Sequence, residues 1–354
     1  MTPEALLQKL VSIPSLSGEE HVIATFVADL AASWGFRVHR HLNNLWFEVG
    51  TGSPRLLLVS HLDTVKPCAG WLGDPWQTDW QNGVLTGLGA NDAKGCVAAL
   101  LMAARSLAMA PPDGTLVFAF TAEEETGGAQ GMGEVLSQLG SLDAAFVGEP
   151  TALEPCIAQR GMLILGCTAR GESGHVAHAR LAENAIHKAA RDITRLAGMV
   201  FEPDERLGST KPQVTLIQGG LARNQVPDVC EFSVDLRTTP NLDHAALSER
   251  IARELESEVK VISTRYIPKA TAPQSAIAQA ALLASGRKVF VGSATTSDWA
   301  FLGQLPAIKI GPGDTHRSHR ANEFITREEL HAGVAFYQRA TRLYFAQKEA
   351  PCGA

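Results

Sequence analysis

Four short runs in this chain are apolar almost throughout, and each is followed within a few residues by carboxylates or imidazoles. Residues 55–60 (RLLLVS) lead into His61-Leu62-Asp63, and 115–121 (TLVFAFT) into Glu123-Glu124-Glu125. Residues 143–148 (DAAFVG) lead into Glu149-Pro150, and 306–310 (PAIKI) into a segment with His316 and His319. A strand without polar alternation has both faces covered, the habit of parallel sheets flanked by helices. Between two of these runs, Val97, Leu100, Leu101 and Ala104 recur at helical spacing. Strand and helix therefore alternate, as in an α/β sheet covered on both sides. Helical periodicity also runs through residues 3–34, in Ala5, Leu6, Leu10, Val22, Ile23, Phe26 and Leu30.

The middle of the chain has a different rhythm. Strands are expected at 162–170, 213–219, 229–237 and 259–266, with helices at 181–200 and 243–256. That order, β-α-β-β-α-β, is the split pattern of a small α+β sandwich. A chain of 354 residues suits two domains at about 150 residues each. The expected layout is a large α/β domain with a mostly parallel sheet at 1–161 and 272–354, and a small α+β domain inserted at 162–271.

Composition removes several function classes. Hydrophobic residues at 45% and charged ones at 19% are ordinary globular usage, which excludes disordered and fibrous chains. Thirty-one Lys and Arg against 37 Asp and Glu leave a net charge of −6. With no basic stripe, a nucleic-acid partner is not expected. The apolar runs are strand-sized, so no membrane partner is expected either. The start, MTPEALLQKLVSIPS, has no basic segment followed by an apolar core, and no signal peptide is expected there. The six cysteines (68, 96, 156, 167, 230 and 352) form no CxxC pair and read as reduced thiols of a cytoplasmic protein.

In open α/β sheets, ligands bind beyond the carboxyl ends of the strands, and here those ends carry acids and imidazoles. Residues two apart on a strand share a face, so Asp63 can hold one nitrogen of His61 while the other faces a metal. Asp92, in GLGANDAKG just before the Val97 helix, reads equally as a helix N-cap. Glu123-Glu124-Glu125 reads either as a solvated run at a helix start or as two working glutamates, one a ligand and one a base. Together His61, Asp92, Glu125, Glu149 and His319 offer imidazole nitrogen and carboxylate oxygen without thiolate. That set suits Zn²⁺, Co²⁺ or Mn²⁺. If Asp92 spans two divalent ions, a hydroxide would cancel the remaining charge and serve as the nucleophile of a two-metal hydrolase. Glu124, kept off the metals, would then move its proton.

HLDTV, GANDAKG, TAEEET, VGEPT and SHRANEF, in this order, resemble the co-catalytic metallohydrolase family of acetylornithine deacetylases, succinyl-diaminopimelate desuccinylases, aminoacylases and glutamate carboxypeptidases. The resemblance covers essentially the whole chain, and the IKIGPGDTHRSHRANEF ending is most similar to acetylornithine deacetylases. It implies two divalent ions, one on His61 and Glu149 and the other on Glu125 and His319, with Asp92 between them. It also implies Asp63 as the partner of His61, Glu124 as general base, and His175 as an oxyanion donor, often supplied by the partner subunit of a dimer formed through the insert. Asn224 and Arg237 match substrate-binding positions, although Asn224 also fits a turn and Arg237 an ordinary strand end. Many family members carry Arg where this chain has Leu88, and Asp where it has Glu123. His178, His316 and Arg320 have no assigned role.

The expected activity is removal of the acyl group from an N-acyl amino acid, with N²-acetyl-L-ornithine, a precursor in arginine biosynthesis, the favoured substrate. Within the family the rivals are acetylcitrulline, a succinylated amino acid or diaminopimelate, carrier-protein-bound lysine, or a dipeptide. A non-catalytic homologue would be expected to lose a ligand or the base, and all are present. A closed structural zinc site would need a four-ligand cluster, which the sequence lacks.

Overall fold

The computed structural model describes residues 1–77, 79–127 and 130–349. Cys352 lies outside the described residues, and the other five cysteines are free thiols. The chain divides into two compact units, one of Met1–Ile157, Ala270–Val291 and Ser297–Ala354, the other of Ala158–Lys269 and Gly292–Thr296. The short return of 292–296 to the second unit has no counterpart in the sequence pattern.

The first unit is built on a sheet ordered His39–His41, Asn44–Thr51, Gly114–Thr121, Arg55–His61, Ala144–Val147 and Ala307–Lys309, continuing to Cys156–Gln159. Arg55–His61 runs parallel to both Gly114–Thr121 and Ala144–Val147, and Ala307–Lys309 parallel to the latter. Side chains alternate across the sheet. Leu56, Leu58, Leu116, Phe118 and Phe120 enter one core, beneath the helices Pro3–Val11, Lys94–Leu107, Ala276–Ser285 and Arg327–Glu349. Leu57, Val59, Val117 and Ala119 enter the other, with Met132 and Trp299. With both faces covered, all eight residues of Gly114–Thr121 are buried, which explains the unbroken apolar reading of these runs.

Two features depart from the sequence pattern. The periodicity of residues 3–34 is split into helices Pro3–Val11 and His21–Ser33. Pro14 lacks the N–H that a continuing helix needs, and Gly18 takes a φ of 88°. The strand Asn44–Thr51, which the apolar runs do not announce, runs antiparallel to Gly114–Thr121 and leaves the sheet mostly parallel, as expected.

The second unit holds a four-stranded antiparallel sheet ordered Pro212–Gly219, Val229–Thr238, Gly161–Arg170 and Glu258–Tyr266. Helices Ala185–Gly198 and His244–Glu254 complete the β-α-β-β-α-β order. Burial along Gly161–Arg170 alternates, and its inward residues Leu163, Leu165, Cys167 and Ala169 pack with Ala189 and Ile251 of the helices. The first helix begins at 185 rather than 181 because Asn184 caps it, its side-chain oxygen accepting from the Ile186 and His187 N–H groups.

Phe118 is fully buried and stacks on Phe47 with ring centroids 5.5 Å apart. Phe118→Ala should lower unfolding free energy by about 3–5 kcal/mol, the usual cost of emptying such a site. A denaturant titration that shows a loss below about 1 kcal/mol would contradict the central position of this strand.

Candidate metal centre

Asp63 sits just beyond the end of Arg55–His61 and is fully buried. His61 Nδ1 lies 3.3 Å from its Oδ1 and 3.1 Å from its carbonyl oxygen. Ser17 Oγ donates to Oδ2 at 2.7 Å. The Glu124 N–H donates to Oδ1 at 3.1 Å and the Glu125 N–H to Oδ2 at 3.0 Å. With Nδ1 assigned from this geometry as the protonated nitrogen, His61 Nε2 presents a lone pair. That lone pair faces Asp92 Oδ1 at 3.3 Å and Glu149 Oε1 at 3.9 Å. Electron pairs converging in a buried space are stable around a proton or a cation.

Asp92 faces both ways. Its Oδ2 lies 3.9 Å from His319 Nε2, which in turn meets Glu125 Oε2 at 2.8 Å. The donor atoms of His61, Asp92 and Glu125, and those of His61, Glu124 and Glu149, lie within 4.8 Å of one another in each group. Six of the expected residues are thus brought together, with Asp63 behind them. The donor set fits divalent cations of the N/O class: two imidazoles, several carboxylates and no thiolate. Asp92 is not the helix cap. Ala93 occupies that position without a side-chain bond, and the Asp92 N–H donates to Glu323 Oε1 at 2.8 Å.

The acid loop is half-buried, and not helical in the ordinary sense. Glu124–Thr126 forms a single 3₁₀ turn behind Glu123, whose φ is 56°. Four consecutive N–H groups are taken by side chains: Ala122 by Asn44 Oδ1 at 2.9 Å, Glu123 by Glu20 Oε1 at 3.0 Å, and Glu124 and Glu125 by Asp63. The left-handed conformation at 123 favours a short side chain that bonds locally, consistent with Asp at this position in many family members. Leu88, where many members carry Arg, is buried, and its N–H donates to the Pro75 carbonyl.

The remaining expected residues, His175, Asn224 and Arg237, belong to the second unit and are exposed. His175 Nδ1 accepts from the Ala177 N–H at 3.1 Å. Asn224 lies in a turn, its carbonyl accepting from the Val176 N–H. Arg237 Nε and Nη2 both donate to Asp235, at 3.0 and 3.3 Å. His178, His316 and Arg320 are exposed.

Several supporting residues escaped the sequence reading: Glu20, Asn44, Glu323, Asp298 and Lys94. Lys94 is fully buried, its Nζ donating to the Ile13 carbonyl at 2.8 Å. Burial brings its ammonium down to about 7, against the Glu323 and Asp63 charges. Asp298 accepts from Thr121 Oγ1 at 2.6 Å. The available signals were Lys94 two residues after Asp92 and Glu323 four residues beyond His319; neither spacing is distinctive by itself.

The electrostatics are those of a proton-rich cluster. Burial, joined by the Asp92 and Glu125 charges and opposed by Lys309, pushes Glu149 up to about 7. Burial and the Asp92 charge push Glu323 up to about 8. Glu124 and Glu125 are also raised, burial being the largest cause. The hydrogen bond to Glu125 lifts His319 to about 9, against burial. Asp92 goes the other way, to about 2, because its bond and charge contact with His61 outweigh burial.

For Glu149, Glu323 and His319 the folded state holds protons that the unfolded chain releases at lower pH. Their stabilisation is complete below about pH 4.5 for the glutamates and 6.5 for the histidine, and is lost as pH rises through about 7, 8 and 9. Lys94, brought down to about 7, runs the other way above that pH, so the metal-free protein should melt at lower temperature as pH rises from about 5.5 to 7. Divalent ions must displace these protons, so Zn²⁺ should raise Tm more at pH 8 than at pH 6. Calorimetric titrations at pH 7 in two buffers of different ionisation enthalpy should register proton release. Metal binding without proton release would contradict this picture.

The family model described as peptidase family M20/M25/M40 matches residues 57–342. A succinyl-diaminopimelate desuccinylase from Halorhodospira halophila is 31% identical over 364 aligned residues, covering 94% of this chain and 95% of its own. Another, from Stenotrophomonas maltophilia, is 29% identical over 359 and covers 94% and 96%. Among solved structures, a tripeptidase from Staphylococcus aureus superposes with a TM-score of 0.81 at 21% identity, covering 98% of both chains. A dinuclear metal-binding M20 peptidase from Bacillus subtilis gives 0.76 at 16%, covering 97% of this chain and 98% of its own. The two superpositions establish the fold, and the family match, over most of the chain, establishes membership: this chain belongs to the M20/M25/M40 peptidase family.

Proposed function

We propose that the protein is a dinuclear, divalent-metal-dependent amidohydrolase that removes a small acyl group from an N-acyl amino acid. The observation that carries this reading is Asp92, whose two oxygens face two different imidazoles, His61 and His319. In it His61 and Glu149 hold one ion, Glu125 and His319 the other, and Asp92 both. The ions, Zn²⁺ or Co²⁺ with Mn²⁺ also suited to the donors, supply Lewis acidity toward the amide carbonyl and the attacking water.

The chain's own residues do the rest. Glu124 takes the proton of the attacking water and delivers it to the leaving amine; burial and the Glu149 and Glu125 charges raise its carboxyl, which strengthens it as a base. His175 accepts the Ala177 N–H on Nδ1, so its neutral ring carries the proton on Nε2, ready to donate to the carbonyl oxygen. Arg237 grips the substrate α-carboxylate in place of Asp235, using the same planar fork, and Asn224 adds a polar contact. Glu124→Ala should bind both ions yet lose kcat by roughly 10²–10⁴. Near-full activity in that variant would remove Glu124 from the mechanism.

The substrate has two readings. The IKIGPGDTHRSHRANEF ending favours N²-acetyl-L-ornithine. The full-length relatives, named for succinyl-diaminopimelate, favour a succinylated amino acid, and that observation gives the second reading the wider support. An initial-rate panel on Zn²⁺- and Co²⁺-loaded protein, comparing N²-acetylornithine, N²-acetylcitrulline, N²-succinylornithine, N-succinyl-diaminopimelate, acetylmethionine and a dipeptide by kcat/KM, separates them. The highest kcat/KM should fall on a succinyl substrate; a lead for acetylornithine restores the first reading. Silence on all six with metals bound would overturn the proposed activity.

Pairing of two copies through the second unit belongs to the same proposal. It is supported by the edge strand Pro212–Gly219, where Leu216 and Ile217 are 69% and 56% exposed, an arrangement that invites strand addition. Light scattering should give twice the chain mass, and Leu216→Lys with Ile217→Lys should halve it. A wild-type monomer would refute the pairing.

A further inference from the structure

Strand Phe324–Thr326 pairs antiparallel with Val84–Thr86, and the pairing ends at Phe324 opposite Thr86. Immediately beyond, the two chains part into the loops that carry His319 and Asp92. Glu323 stands at that fork. Its carbonyl accepts the Gly87 N–H at 2.9 Å, continuing the ladder by one bond. Its side chain, 2% exposed, turns inward. Oε1 accepts two consecutive main-chain N–H groups, Asn91 at 2.9 Å and Asp92 at 2.8 Å. Asn91 is held from its other end, Oδ1 accepting from the Asp314 N–H at 2.8 Å and Nδ2 donating to the Asp314 carbonyl at 3.1 Å.

Two N–H groups aimed at one oxygen fix two successive peptide planes, and with them the direction of the Asp92 Cα–Cβ bond. That direction matters because Asp92 meets His61 through one oxygen and His319 through the other. A buried carboxylate that only filled space would be a costly choice. Neutral apolar side chains could close the fork, but none could hold these N–H groups.

We infer that Glu323 is a positioning residue of the metal centre, holding the Asn91–Asp92 backbone so that Asp92 presents one oxygen to each half of the site. The inference rests on the dinuclear reading above, and it adds a role to a residue that touches neither ion. It also makes the 319–323 segment bifunctional, with a donor at one end and the clamp for the shared donor at the other.

The test is calorimetric titration of metal-free protein with Zn²⁺, repeated with Co²⁺ while following the visible d–d absorption. Wild type should take up two ions. Glu323→Ala and Glu323→Asp, the latter too short by one methylene, should bind at least one ion about 10–100-fold more weakly, the usual range for a partner behind the ligands, with a changed Co²⁺ spectrum. Glu323→Gln retains an acceptor oxygen for the two N–H groups and should stay closer to wild type than either. If the Ala variant does not fold, the Asp and Gln variants decide the matter. Two-ion binding with wild-type affinities in both Ala and Asp would overturn the inference, as would a Gln variant no better than Asp. Fewer than two ions in wild type would refute the dinuclear reading itself, and this inference with it.

Discussion

The four-way hold on the Asp63 carboxylate is the interaction on which the site depends. It accepts from Ser17 Oγ and from the Glu124 and Glu125 N–H groups, and lies against His61 Nδ1. A buried carboxylate is costly unless its lone pairs are met; here they are, and Asp63 stays below the ordinary aspartate range although burial pushes the other way. One permanent charge thus locks the ends of two adjacent parallel strands, Arg55–His61 and Gly114–Thr121, together. It fixes the imidazole of one and the acid loop of the other in a common frame. Removing it would release His61 from its ring orientation and leave two buried N–H groups unpaired.

The strength of that lock explains how so many acids coexist at one sheet edge. Glu125, Glu149 and Glu323 each feel the Asp92 charge, Glu124 feels Glu149 and Glu125, and burial raises all four glutamates. Such crowding would splay freely mobile side chains into solvent. The backbone under them is held by groups that do not depend on the acids being neutral: Asp63, Glu20 and Asn44 at the acid loop, and Asn91 with its bonds to Asp314 at the other loop. The charge conflict is therefore resolved by protons or divalent cations rather than by rearrangement. This is the physical content of a preorganised metal site.

The sequence revealed the parts whose environment is uniform. Gly114–Thr121 and Arg55–His61 are covered on both faces, so their apolar runs were unmistakable, and the alternating burial of Gly161–Arg170 and Val229–Thr238 made the second unit equally legible. Asp92 was ambiguous because a cap and a ligand occupy the same place before a helix; the structure puts Ala93 at the cap and turns the Asp92 oxygens to His61 and His319. The break at Pro14 was hidden by periodicity that resumes in register after it. Glu20 and Asn44 could not be found at all, since a side chain that accepts from a distant N–H leaves no local pattern. The roles of His175, Asn224 and Arg237 stayed open for a different reason: they are exposed, and exposure removes the packing constraints that make a residue type informative.

These hidden residues change where the functional boundary of the chain lies. The family match begins at residue 57, yet Ser17, Glu20 and Asn44 precede it, and each binds directly to Asp63 or to the acid loop. Glu20 is itself braced, Oε1 by the Gly18 N–H and Oε2 by Asn43 Nδ2, so the turn that ends the first helix and the turn that starts Asn44–Thr51 meet at one carboxylate. The kink at Pro14, which looks like a flaw in a helical pattern, is what lets residues 15–20 reach the strand end: Ser15 Oγ donates to the Leu62 carbonyl and the Thr64 N–H to that of Ser15. The first helix pair thus does more than cover the sheet. It supplies Ser17 as a donor to Asp63 and Glu20 as the acceptor of the Glu123 N–H, and in the proposed mechanism Glu124 can act as a base one residue from a ligand only while the backbone beneath both is held in place.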